Sequence, residues 1–168
     1  MRWFKDLAIG RKLGLAFTLL TLLALAVGAF AFYELSQERA VVQEITERAM
    51  PARRALLELR GILGEYRTFE VAQLGYQGQP TELADYRQRT TGLRGDFDRT
   101  LGEFEALIRN DSERALHAKV KTAGEAYFAA GTRIAAAIDA DDFERARALS
   151  SDEARPLRRA LMDDIKVL

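Results

Sequence analysis

Residues Leu13 to Tyr33 form a run of 21 without a single charge. At 1.5 Å of rise per residue, such a run makes a helix of about 30 Å, the hydrocarbon thickness of a bilayer. Three structures compete for it: a retained membrane span, a cleaved export signal and a buried core helix. The apolar region of a signal peptide is usually only about 7–15 residues long. Ala29-Phe30-Ala31 imitates a small-x-small processing site, but Phe30, Phe32 and Tyr33 around it are bulky. The retained anchor is therefore the reading adopted, with cleavage and core helix as the alternatives.

The flanks orient it. Arg2, Lys5, Arg11 and Lys12 precede the span against Asp6 alone, and Glu34 follows it. Basic flanks stay on the cytoplasmic side. The expected organisation is a cytoplasmic N-terminus (1–12), a transmembrane helix (13–33) and an exported region (34–168) in the periplasm, held at the inner membrane. Trp3 and Phe4 are placed at the inner interface and Tyr33 at the outer one.

The exported region has 135 residues, enough for one domain, with 21 basic and 24 acidic side chains. That balance lacks the concentrated basic surface that nucleic acid requires. The chain has no cysteine, so disulfide and thiolate chemistry are excluded. Ala, Leu, Glu and Arg abound beside three prolines, which points to an all-α domain.

Apolar residues recur at alternating spacings of three and four. Val42, Ile45, Ala49, Ala52, Leu56, Leu59, Leu63 and Tyr66 make one stripe, predicting a helix from the membrane to about Gln77 with a kink near Pro51. "GYQGQP" (Gly75 to Pro80) reads as the turn that ends it. Leu83, Tyr86, Thr90, Leu93, Phe97, Thr100, Phe104 and Leu107 make a second stripe. "NDSE" at Asn110 has capping-box spacing and opens a third helix, with Leu116, Val120, Ala123, Tyr127, Ala130, Ile134 and Ala137 inward. "DDFE" at Asp141 has the same spacing. It predicts a short helix to about Leu149, leading into a fourth that begins near Ser151 or Pro156. Short links make neighbours antiparallel, so the economical fold is an up-down four-helix bundle continuous with the span. Its first helix projects roughly 60 Å beyond the membrane, whereas the fourth has only about 15 residues before Leu168. The fourth helix is thus read as truncated, with the rest of a longer protein completing it.

The chain resembles the N-terminal sensory half of bacterial methyl-accepting chemotaxis proteins. The resemblance rests on "FKDLAIGRKLGLAFTLLTLLALAVGAFAFYELSQ", on "AMPARRALLELRGILGEYR" and on "DDFERARALSSDEARPLRRAL". It implies a homodimer, a periplasmic four-helix bundle and a ligand site toward its membrane-distal end. A second span, a HAMP linker and a cytoplasmic hairpin controlling a histidine kinase would follow. Sensor kinases and cyclases carry the same kind of bundle, so the output remains open, as does a membrane-tethered helical module that engages a partner protein.

With Val42 at heptad position a, Arg39, Arg53, Arg60 and Arg67 all fall at e, while Val41, Ala55, Ile62 and Phe69 line the g flank. Salt bridging to a neighbouring helix is the plain reading of such an arginine column, each pair worth under about 1 kcal/mol. The sharper reading is that Arg53, Arg60 and Arg67, with Tyr66 beside them, bind a small ligand. A planar guanidinium suits a carboxylate, to which it gives two parallel hydrogen bonds. Arg60 also falls where the resembled aspartate receptors place a ligand arginine, but Glu65 and Phe69 stand where that cluster has its others. The partner is accordingly a small molecule, such as a carboxylate, or a periplasmic binding protein.

His117, the single histidine, reads as solvated or partly packed. "DADDFE" (Asp139 to Glu144) lacks the central glycine and closing glutamate of a calcium loop. "GEYRTFE" holds two glutamates, five residues apart on a helix, which diverge. No metal, no cofactor and no catalytic constellation is expected.

Overall fold

A computed structural model describes the backbone of residues 8–168 and the side chains of residues 8–34 and 42–168. The expectations attached to Arg2, Trp3, Phe4, Lys5 and Asp6, and to the side chains of Arg39 and Val41, lie outside the described residues. No strand occurs among those described. The helices are α1 (Ile9–Glu44), α2 (Met50–Gln73), α3 (Pro80–Glu105), α4 (Asp111–Asp139), α5 (Phe143–Ala148) and α6 (Arg155–Val167). π turns at Ile45–Ala49 and Leu149–Ala154 fill the intervals before α2 and α6. Two compact units result, Met1–Glu47 and Arg48–Leu168.

Within the first unit, Ile9–Glu34 is long and apolar enough to cross a membrane. Its apolar side chains are exposed within this unit: Phe17 is 74% exposed and Leu20 64%. Thr18 and Thr21 donate their hydroxyls to the carbonyls of Gly14 and Phe17, both at 2.9 Å, so the polar groups inside this run carry their own partners.

The second unit is the bundle. α2 packs on α3, α3 on α4, α4 on α6, and α6 returns to α2, closing a ring of four. The chain is all-α, as its periodicity predicts. α2 stops at Gln73, four residues short of the expected end, because Leu74 and Gly75 tighten onto the carbonyls of Val71 and Ala72. The turn then passes through Gly78 at φ +75°, a conformation glycine adopts without penalty. Asn110 caps α4 as its spacing predicts: its side chain accepts from the Glu113 N–H at 2.8 Å, and Glu113 accepts from the Arg109 N–H. At α5 the cap is Asp142 rather than Asp141, which takes φ +58° in the turn, a conformation aspartate tolerates.

Both π turns lie just before a proline, Pro51 and Pro156. A proline cannot donate to the carbonyl four residues back, and a wider turn absorbs the break. The expected kink at Pro51 takes this form.

The core is aromatic at its centre. The Tyr66 ring meets Tyr127 and Phe128 edge-on at 5.4 and 4.9 Å, and Phe97 meets Phe128 at 5.1 Å. Leu59, Leu63, Val120, Ile134, Leu161 and Ile165 surround them, all fully or almost fully buried. Gly124 and Gly131 let the rings in: a methyl on Gly124 would meet Phe97, and one on Gly131 would overlap the Tyr66 hydroxyl. The apolar g flank at Ala55 and Ile62 is buried too, whereas Val42 and Ile45 are exposed.

Candidate functional site

A buried carboxylate organises one end of the bundle. Glu70, on α2, is 2% exposed. Its Oε1 accepts from Arg67 Nη1 at 2.6 Å and from Ser150 Oγ at 3.0 Å, and its Oε2 accepts from Tyr127 at 3.2 Å. Arg67 also donates to the Ser150 hydroxyl (2.8 Å) and carbonyl (3.2 Å), tying α2 to the second π turn. Three elements thus converge on one charge, and a buried charge persists only when paired and hydrogen-bonded in this way.

Burial pushes the Glu70 carboxyl above its ordinary value, against the pull of Arg67 and of the Ser150 and Tyr127 hydroxyls. Burial likewise pushes Tyr66 up to about 12 and raises Tyr127 further, with Glu70 adding to both. The two phenols are therefore neutral donors at physiological pH.

Arg67 is half-buried, and its outer side lines a groove of about 500 Å³. Arg147, Ser151, Asp152 and Arg155, from α5, the π turn and α6, form the opposite wall. Arg147 is paired with Glu144, while Arg155 makes no ion pair among the described residues. The groove therefore offers three cations, Arg67 and Arg147 held and Arg155 free, beside a hydroxyl and the carboxylates of Glu144 and Asp152.

The three arginines and one tyrosine predicted as a ligand set do not converge. Arg67 faces this groove. Tyr66 lines a different cleft, between α3 and α4. Arg53 and Arg60 are exposed and make no hydrogen bond or ion pair among the described residues. Beside them on α2 stand Met50, Leu57 and Val71, large apolar side chains at heptad spacing that are 63%, 56% and 42% exposed.

Other residues carry more than their sequence context suggests. Spacing along "GEYRTFE" makes Glu65 and Glu70 diverge, yet the heptad frame puts Glu70 at position a, and an acid at a core position is the signal. Arg48, at g, donates to the Leu107 carbonyl (3.1 Å) and to Glu113 (2.7 Å), joining the first π turn to the start of α4. Of the two readings of His117, solvated or partly packed, the structure shows packing: it is buried, 3.1 Å from the Leu101 carbonyl and stacked on Phe104. Among the described residues, no group of three or more His, Asp or Glu is placed to hold a metal ion.

A family model described as a four helix bundle sensory module for signal transduction matches residues 6–168. Comparison with curated proteins and with solved structures returns no match. The extent of the family match, with the apolar N-terminal helix and the closed ring of four, places the chain: it belongs to the four-helix-bundle sensory modules of signal transduction, a sensory and not a catalytic family.

Proposed function

We propose that the chain is the sensing portion of a transmembrane chemoreceptor that takes up a small carboxylate-bearing ligand at Arg67. The observation that carries this reading is the Arg67–Glu70–Ser150 cluster under an open groove. Arg67 there spends one nitrogen on an internal carboxylate while its other face meets solvent. A ligand carboxylate entering the groove gains Arg67 and the free Arg155, and loosens the tie between α2 and the π turn ahead of α6. Only a ligand that favours one of two packings of these helices does work on an output, and the Arg67–Ser150 tie is the contact through which this ligand would bias them.

α1 is the anchor in this reading, with the N-terminus in the cytoplasm and residues 34–168 in the periplasm. Its exposed apolar surface and internally bonded threonines support it. Two copies associate through α2: Met50, Leu57 and Val71 form the contact stripe, and Gly61 and Gly64, with open space above them, allow close approach. Arg53 and Arg60 flank that stripe, within reach of a ligand held between copies.

Calorimetric titration of the full chain in nanodiscs with amino acids and dicarboxylates tests the site. A saturable ligand whose affinity falls at least about tenfold in the Arg67→Gln/Glu70→Gln pair supports it, since a hydrogen bond to a charged group contributes that much. Affinity unchanged in that pair removes the assignment.

A further inference from the structure

The cleft lined by Tyr66 is separate from the Arg67 groove and encloses about 270 Å³ between α3 and α4. Tyr66 crosses the core from α2 and arrives over Gly131, where a methyl group would collide with its hydroxyl. The side chain is 7% exposed, and its O–H makes no hydrogen bond among the described residues but opens onto the cleft. A buried donor left unpaired costs about 1–3 kcal/mol, and the Arg87 Nε–H on this cleft is one; with the Tyr66 hydroxyl at the same wall, the cleft points to an acceptor.

The surroundings state the chemistry of that acceptor. None of the residues lining the cleft is acidic. Arg94 lies 5.8 Å from the Phe128 ring centre and forms no ion pair among the described residues. Arg87 is neutralised by Asp139 but keeps a buried Nε–H without a partner. Thr90 and Thr132 spend their hydroxyls on the carbonyls of Arg87 and Phe128. One uncompensated positive charge therefore meets orphan donors above an apolar floor of Phe128 and Ala135. Burial holds the Tyr66 phenol protonated, so it donates and does not compete as an anion. A volume at the small end of ligand pockets excludes a large molecule. A single free guanidinium matches a monoanion, and its planar fork suits a carboxylate better than a phosphate.

We propose that this cleft is a second ligand site in each protomer, for a small organic monocarboxylate. The carboxylate accepts from the Tyr66 hydroxyl and the Arg94 guanidinium, and its short apolar body rests on Phe128 and Ala135. The site needs no residue of a second copy and does not depend on the Arg67 groove.

Calorimetry on the full chain in nanodiscs, with butyrate and benzoate as probes, tests it. Butyramide and inorganic phosphate serve as the neutral and multivalent comparisons. One saturable site per chain is expected for a carboxylate, with none for butyramide. Tyr66→Phe and Arg94→Gln should each weaken it about tenfold, the loss of one charge-assisted hydrogen bond. Tyr66→Phe should leave the melting temperature unchanged, because the hydroxyl has no partner to lose. The Arg67→Gln/Glu70→Gln pair should leave carboxylate affinity unchanged. Absence of binding, binding of phosphate alone, or affinity indifferent to Tyr66→Phe and Arg94→Gln would overturn the proposal. Affinity lost only in the Arg67→Gln/Glu70→Gln pair would put the carboxylate in the other groove and overturn it equally.

Discussion

Tyr127 donates its phenolic hydroxyl to Glu70 across 3.2 Å, so α4 helps solvate a carboxylate that α2 buries. That relationship makes stability respond to acid in an unusual direction. Burial holds the folded Glu70 carboxyl above its ordinary value of 4.5, while the unfolded chain restores it. Over the window between the two, the native state binds a proton that the unfolded state does not. This group's stabilising contribution is therefore full below the window and is lost as pH rises through the folded value. The melting temperature of the natural chain minus that of Glu70→Gln should grow as pH falls from about 7.5 to about 5. A difference independent of pH would show that Glu70 titrates normally.

Arg67→Ala strips the buried carboxylate of its counter-charge. Breaking such a pair costs about 3–5 kcal/mol when both partners are buried, and Arg67 is half-buried, so a loss of about 2–3 kcal/mol is expected in urea unfolding. Glu70→Gln introduced alongside should restore most of it, since an amide needs no cation. An additive double variant would mean that the two side chains do not act as a pair.

Gly131→Ala should lower stability by about 1–3 kcal/mol despite the better helix propensity of alanine, because the new methyl overlaps the Tyr66 hydroxyl. Adding Tyr66→Phe removes the colliding atom, and thermal melts should then recover in part. No recovery would place the clash elsewhere.

Leu57→Arg places a charge in the exposed stripe of α2 without touching the core. Light scattering should report a shift from dimer to monomer with far-ultraviolet circular dichroism unchanged. A dimer that survives the substitution would remove α2 from the interface.

The helices were legible because each carries its own punctuation. Asn110 and Glu113 mark the start of α4, Gly78 and Pro80 mark the turn before α3, and apolar spacing marks the inward faces. Function was less so, because it depends on pairs far apart in the chain. Ser150 reaches Glu70 across 80 positions, a contact no local pattern encodes. The Tyr66 ring packs in the core, as its place in the apolar stripe predicts. Arg60 and Arg67 share a heptad column, yet one is exposed and the other is tied inward. A column fixes direction around a helix, not what stands opposite each turn. Val42 and Ile45 fail as core residues for the same reason.

The wide turn at Leu149–Ala154 has a consequence for how this segment tolerates changes in length. Inside a regular helix of the bundle, removing one residue would swing every later side chain of that helix by about 100° and turn its apolar face from the core. Here the coil already holds a surplus residue, so a single deletion that spares Ser150 can be absorbed by reverting to ordinary helical winding. Leu161 and Ile165 would keep facing inward. A change in chain length can thus be accommodated beside the polar cluster itself, inside a helical run.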